Sequence, residues 1–307
     1  NGWRFNKTRN KMNHTLATIK VRLPGGQYFN QLCSATLDLL RGKFTIGDKY
    51  IFQKYFRGNS YAIKYLYDDL SQRYYQNGYF RMKNIKMSLF DSIPARGSFT
   101  AGFFDFIFPY LFNDFTTTSE GPYLYKNVQI NKGDIVIDAG ANIGLFSALA
   151  SSLGAIVYAF EPVKSTREKY LAKTAQLNPN INVIPLALSN ENKEFSIKGN
   201  DIGGATIMPE RYMKGDINEI VQGITLDDWV KQNNIPRVDF IKADIEGAER
   251  LMLEGSQWVL KNYAPKLAIC TYHLLDDKEV LTNLILKANP NYKIIHKWQK
   301  LYAWVEK

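Results

Sequence analysis

The sequence predicts an α/β protein: a mostly parallel sheet with an antiparallel C-terminal edge, preceded by a mixed or mostly helical N-terminal cap. Three observations lead there. From about residue 121 onward, strand and helix signals alternate regularly. The strand candidates are rich in Val, Ile and Ala, as expected where both faces of a parallel sheet are covered. The composition also shifts near residue 120. Residues 1–120 hold 17 Lys+Arg against 8 Asp+Glu and 25 of the 42 aromatics, whereas residues 121–307 hold 22 against 21. The expected division is therefore a basic, aromatic-rich region over 1–120 and a ligand-binding α/β domain over 121–307.

In order along the chain, "YAIKYLYDDLSQRYYQN" places Ile63, Leu66, Leu70 and Tyr74 at helical spacing and stops at Gly78. The dense run "FFDFIFPYLF" is broken by Pro109. "GDIVIDAGA" is a strand leading to a Gly-rich turn, and Ile143 to Leu153 is a helix closed by Gly154. "AIVYAFEP" is a strand stopped by Pro162, with Ser165 or Thr166 as cap of the next helix. "INVIPLALS" reads as a third strand, "EFSIKG" with "GGATIMPE" as a hairpin, and "TLDDWVKQ" as a helix capped by Thr225. "VDFIKADIEG" is a strand, "AERLMLEGSQWVLKN" a helix and "PKLAICTYH" a strand. "DKEVLTNLILKAN" is a helix, and "YKIIHKW" with "KLYAWVEK" forms the closing antiparallel pair.

Two cysteines, Cys33 and Cys270, are too few for a disulfide framework, so a reducing, cytoplasmic setting is expected. The longest apolar stretch, Val136 to Phe160, is interrupted by Asp138, Asn142 and three Gly residues, which fits strand, turn and helix rather than a membrane span. The chain opens at Asn1 rather than Met, as expected of a trimmed chain.

The stretch "VIDAGANIGLFS" places a carboxylate and an Asn inside otherwise good core. In an open parallel sheet, ligands sit beyond the carboxyl ends of strands, where the strand order reverses. Gly140 and Gly144 let the backbone turn tightly there. Glu161 follows Gly144 by 17 residues, at the next strand end, where a carboxylate can accept both ribose hydroxyls of an adenosine cofactor. A dinucleotide fingerprint needs Gly two residues after Gly140, and Asn142 stands there instead. A cofactor with ribose and adenine but no diphosphate fits better, and S-adenosylmethionine is the common candidate.

At "GDIVIDAGANIGLFS", "AFEP", "PLALS", "TLDDW" and "VDFIKADIEGAER", the sequence resembles the FkbM-type S-adenosylmethionine-dependent methyltransferases over residues 121 to about 275. The resemblance implies a class I methyltransferase (Rossmann-like) fold and O-methylation of a hydroxyl on a sugar or related metabolite, with S-adenosylhomocysteine as product. Carried over by position, Asp138, Gly140, Ala141, Asn142 and Gly144 are expected at the methionine end of the cofactor, Glu161 and Pro162 at the ribose, and Ala187 and Leu188 by the adenine. The stretch "AICTYH" keeps His273 but lacks an acid that family members often carry late in this strand.

Methyl transfer needs alignment of nucleophile, carbon and sulfur, and a hydroxyl gains from a positioned base. Asp244 or Glu246, at the end of the fourth strand, is the expected base, with His273 as the rival. The alternative gives Asp244 to helix amides and leaves Glu246 and Glu249 as first-turn helix acids. Lys242, inside a strand, is expected to pair with a carboxylate. The spacing of Asp227, Asp228 and Asp244 matches no metal site, so no metal is expected. The basic, aromatic first third suits an acceptor site for a carbohydrate, neutral or anionic; RNA and an anionic membrane surface are its competing partners. A cofactor-binding protein without activity is the non-enzymatic alternative.

Overall fold

A computed structural model describes residues 67–306, apart from 69, 114, 116–117, 119, 200–201, 203 and 209–216. The start of the helix expected from Ile63 lies outside the described residues; within it, 67–68 and 70–74 are helical. Leu70–Lys307 forms one compact unit, so residues 70–120 fold together with the sheet that follows them.

Gly78 does not end a helix. Asn77 and Gly78, both at positive φ (53° and 88°), join β1 (Tyr75–Gln76) to β2 (Tyr79–Met82), and β3 (Ile85–Met87) completes a small antiparallel sheet. An Asn-Gly pair with both residues left-handed is the favoured two-residue hairpin turn. Helix α1 (Ile93–Gly102) begins where the Ser92 hydroxyl accepts the Ala95 amide. It runs through a π-helical turn, Phe103–Ile107, into α2 (Phe108–Phe112). Pro109 therefore does not break the aromatic run. It occupies the first turn of α2, where its missing N–H is tolerated, and the widened turn lies just before it. Phe99 and Phe103 pack edge-on against Phe80, which seats this helix on the small sheet.

The central sheet has seven strands, in the spatial order Lys293–Lys297, Lys300–Trp304, Lys266–Cys270, Phe240–Ala243, Ile135–Ala139, Ile156–Phe160 and Ile181–Ile184. Its parallel part is β4 (Ile135–Ala139), β5 (Ile156–Phe160), β6 (Ile181–Ile184), β10 (Phe240–Ala243) and β11 (Lys266–Cys270). Every residue of β4 and β10 is buried, as a strand covered on both faces requires. β12 (Lys293–Lys297) and β13 (Lys300–Trp304) close the edge antiparallel, as the sequence predicts. Helices α3 (Leu145–Ser152), α4 (Lys164–Thr166, extended by a π turn) and α5 (Ala172–Leu177) alternate with β4, β5 and β6. Val163 precedes α4, so Ser165 and Thr166 sit inside the helix rather than capping it.

"INVIPLALS" divides. After β6, Pro185 intervenes, and β7 (Ala187–Leu188) joins a separate sheet, β7-β9-β8, with β8 (Glu194–Gly199) and β9 (Ile217–Ile224). β8 pairs antiparallel with β9, and of the expected hairpin with "GGATIMPE" the described residues show a single bridge, Lys198 with Thr206. Helix α6 (Leu226–Gln232) is capped by Thr225 and buries Trp229 edge-on against Tyr158 and Phe160. The helix predicted across Gly255 is two, α7 (Glu249–Glu254) and α8 (Gln257–Asn262): a Cβ at Gly255 would stand 2.0 Å from the Ser189 carbonyl oxygen. Helix α9 (Asp277–Ala288) completes the layer.

The chain lays down β4, β5 and β6 in one direction and then returns to place β10 and β11 on the other side of β4. The order thus reverses between β4 and β10, and their carboxyl ends open a crevice.

Candidate active site

The turn after β4 is built from left-handed residues: Gly140 at φ 74°, Asn142 at 53° and Gly144 at 86°. Gly140 N and Ala141 N both donate to the Phe160 carbonyl, which ties the turn to the end of β5. The two glycines serve packing more than ligand approach. A Cβ on Gly140 would lie 2.0 Å from the Asp244 carbonyl oxygen, and one on Gly144 would strike Leu171 and Thr174 at 2.8 and 2.9 Å. Gly140 lines the cavity, as do Ala141 and Asn142; Gly144 starts α3 beneath it, away from the expected cofactor contact.

Asp138 also departs from expectation. It is fully buried below the turn, where its Oδ2 accepts from Ser147 at 2.6 Å and its Oδ1 pairs with Lys242 Nζ at 3.0 Å. Its carboxylate is not part of the cavity lining, because burial without a cation would be prohibitive and Lys242 holds it inward. Lys242 also donates to the Ala139 and Gly140 carbonyls, at 3.1 and 2.6 Å. Burial alone would lower its pKa, but Asp138 and Asp244 outweigh this and raise it, so the ammonium stays charged. The sequence-level pairing of Lys242 with a carboxylate is thus what the structure contains.

Above this pair lies a cavity of about 460 Å³, within the range of small-molecule sites of roughly 300–1,000 Å³. Glu161, at the end of β5, is 6% exposed; its Oε2 accepts from Asn142 N at 2.9 Å and its Oε1 from Val163 N at 3.0 Å. Burial pushes its carboxyl up to about 7 against these amides, so it is short of donors. Asn142 Oδ1 is buried and has no hydrogen-bond partner among the described residues. Pro162, Ala187 and Leu188 line the same end of the cavity. A buried acceptor pair beside apolar residues and an unfilled amide oxygen suits a ligand with ribose hydroxyls, a flat ring and an ammonium.

Asp244 and Glu246, which follow β10 on the other side of β4 from Glu161, line the same cavity. Strand β10 stops at Ala243, and the loop reverses through Glu246 at φ 57° and Gly247 at φ 100°. Glu249, fully buried, accepts the Ile245 and Gly247 amides at 2.8 and 3.0 Å and so holds this loop, while Thr206 donates to the Glu246 carbonyl. Asp244 accepts from Tyr123 at 2.8 Å and from Tyr272 at 3.3 Å. Burial opposes its charge, yet Lys242, His273, Lys300 and the Tyr123 hydroxyl together hold its carboxyl down to about 2. Tyr123 is raised well above its ordinary value, by burial first and then Asp244, and so remains a donor. Its ring lies beneath Lys300 Nζ at 4.4 Å and Lys242 Nζ at 5.4 Å.

His273, expected as the rival base, lies against Asp244, Glu246 and Glu249 and is not among the residues that line the cavity. Sequence reasoning missed Tyr123, Tyr272 and the cover formed by α1 and its π turn, from which Pro94, Ser98 and Phe106 line the cavity. Ser98 Oγ lies 3.4 Å from Asn142 Nδ2. Of the other acids considered, Asp227 accepts the Trp258 and Val259 amides and fixes α8.

The family profile of the methyltransferase FkbM domain matches residues 138–297. Among curated proteins, the chain is similar to the hexuronic acid methyltransferase AglP of Haloferax volcanii, with 27% identity over 171 residues, 54% of this chain and 67% of that protein. Among solved structures it is similar to methyltransferase FkbM from Methylobacillus flagellatus KT, at 20% identity and a TM-score of 0.46, over 78% of this chain and 58% of that one. It is also similar to Aeropyrum pernix fibrillarin with natively bound S-adenosyl-L-methionine, at 10% identity and a TM-score of 0.38, over 60% of this chain and 71% of that one.

Two outcomes follow from this geometry. Lys242→Met leaves Asp138 buried without its cation and is expected to cost about 3–5 kcal/mol in urea unfolding; a loss below about 1 kcal/mol would show the pair to be dispensable. For Glu161, the folded protein keeps a proton up to about pH 7 that the unfolded chain releases near 4.5. The native state therefore binds more protons between those values, and the contribution to stability is lost as pH rises through that window. The stability of the wild type relative to Glu161→Gln should fall by about 3 kcal/mol between pH 4.5 and 7.5, and parallel pH profiles would contradict this.

Proposed function

The chain belongs to the FkbM methyltransferase family, and we propose that it transfers a methyl group from S-adenosylmethionine to a hydroxyl of a carbohydrate. The observation that carries the reading is the placement of Glu161, after β5, and of Asp244 with Glu246, after β10, on either side of β4 in the lining of one cavity at the strand-order reversal.

When bound, S-adenosylmethionine supplies a methyl group on a positively charged sulfur, which departs with the carbon–sulfur bonding pair. Glu161 would take the ribose hydroxyls, since each of its oxygens keeps a lone pair beyond the amide it already accepts. Those donors also offset its burial and favour the ionised form. The Asn142 side-chain oxygen and the turn around Ala141 would hold the amino-acid end, with Pro162, Ala187 and Leu188 against the adenosine. Asp244 and Glu246 would face the acceptor.

The two acids differ in what they can do. Asp244, ionised to about pH 2 and bonded by two tyrosines, is a weak base and a strong hydrogen-bond acceptor. It would orient the acceptor and balance the positive charge of the donor. Glu246, on the strained left-handed loop, would take the acceptor's proton as its oxygen bonds to carbon. Such a base typically contributes ~10²–10⁴-fold. The cover from α1 and its π turn would exclude water on the acceptor side. The carbohydrate class is supported by the similarity to a relative named for hexuronic acid.

The test is to incubate the protein with S-adenosylmethionine and a panel of hexuronates, neutral hexoses and short RNA, and to read methyl gain by mass spectrometry. Methylation of a sugar, reduced about 10²–10⁴-fold in kcat by Glu246→Gln, is the expected result. Methylation of RNA alone, or unchanged kcat in the variant, would overturn the acceptor or the base respectively.

A further inference from the structure

We infer that Asp244, Glu246 and His273 form a binding site for a divalent first-row transition-metal ion at the acceptor end of the cavity.

The proposal starts from His273. Its side chain has no solvent exposure, and its Nε2 has no hydrogen-bond partner among the described residues. That nitrogen lies 3.6 Å from Asp244 Oδ1 and 3.6 Å from Glu246 Oε2. Both separations are too long for hydrogen bonds. They come instead close to the spacing of two ligands of one ion: His nitrogen at ~2.0–2.1 Å and carboxylate oxygen at ~2.0–2.2 Å, at a tetrahedral angle, lie about 3.3–3.5 Å apart. A buried donor atom thus points at two carboxylates across a gap of the size an ion fills.

The ring's other nitrogen supports this reading independently. Nδ1 lies 2.9 Å from Glu249 Oε1, in contact though off the line of a hydrogen bond. Glu249 is fully buried and is itself fixed by the Ile245 and Gly247 amides. A carboxylate beside the second nitrogen is where the orienting partner of a metal-ligating imidazole stands, and a small turn of the ring would let Nδ1–H donate to it. Asp244, Glu249 and His273 each bring a potential ligand atom within 4.8 Å of the others, with Glu249 on the Nδ1 side of the ring.

Charge leads to the same place. Three carboxylates converge on one imidazole, while Lys242 is engaged by Asp138 and by the carbonyls of Ala139 and Gly140. A mixed nitrogen and oxygen set favours Zn²⁺ or Mn²⁺ over Mg²⁺ or Ca²⁺. Asp244 and Glu246 line the cavity whereas His273 does not, so the ion's open position faces the acceptor. An ion there would bind an acceptor oxygen and provide positive charge on that wall, and the Glu246 oxygen left off the ion would be the one to take the acceptor's proton. That last role rests on the methyl-transfer reading; the site itself does not. The expectation of no metal came from Asp227, Asp228 and Asp244, of which Asp227 is committed to α8.

The experiment is to strip the full chain with chelator, titrate Mn²⁺ followed by electron paramagnetic resonance, and repeat with Zn²⁺ followed by elemental analysis after dialysis. S-adenosylhomocysteine is titrated into the same preparations. One ion per chain is expected, weakened at least tenfold by His273→Gln and about 10–100-fold by Glu249→Gln, with folding checked by circular dichroism. Should His273→Gln fail to fold, Glu246→Gln at the cavity edge carries the same readout. Folded wild type that binds neither ion, or variants that bind as the wild type does, would overturn the site. Loss of metal binding with S-adenosylhomocysteine binding intact sinks this inference alone. Metal binding without S-adenosylhomocysteine binding sinks the methyl-transfer reading and leaves the metal site standing.

Discussion

The buried pair of Asp138 and Lys242 is the constraint on which the site depends. Two charges taken from water need each other, and the remaining ammonium protons need acceptors. Lys242 meets this by reaching from β10 to Asp138 and to the carbonyls of Ala139 and Gly140. It therefore fastens the end of β10 to the end of β4, across the place where the strand order reverses. The turn cannot drift from the neighbouring strand, and the Asp244 carbonyl can press against Gly140 at a distance no other residue would permit. The cavity sits on this clamp.

From that base, two kinds of carboxyl group arise by opposite balances. At Glu161 burial outweighs two backbone amides and one end of the cavity becomes short of donors. At Asp244 the nearby cations and the Tyr123 hydroxyl outweigh burial, and the other end stays firmly anionic. The same functional group, a carboxyl, thus offers a receptor for hydroxyl donors at Glu161 and an orienting charge at Asp244. Glu249 belongs to neither end. It holds the loop that carries Glu246, and it stands behind His273.

Much of this was legible in the sequence, and what was not has physical reasons. The alternation of buried strands and helices, the turn after β4, Glu161 at the next strand end and the acids of "IKADIEG" are local patterns, and they fall where the patterns place them. Asp138 was misplaced because a carboxylate at a strand end can face either way, and only the arrival of Lys242 from 104 residues later decides it. The surroundings of His273 were hidden for the same reason: they come from Asp244 and Glu246 after β10 and from Glu249 at the start of α7. Tyr123 and the cover from α1 carry no local signature of a site, since an aromatic run reads equally as core. The hairpin at Asn77-Gly78 did carry its signal, and the helical spacing of nearby residues obscured it.

The most direct measurement is calorimetric titration of S-adenosylhomocysteine into the wild type and into Glu161→Ala. The account predicts binding by the wild type that weakens about tenfold or more in the variant, as loss of hydrogen bonds to a charged acceptor implies. Equal affinity in the two proteins, or no binding by folded wild type, would contradict the placement of the methyl donor between Glu161 and the turn after β4.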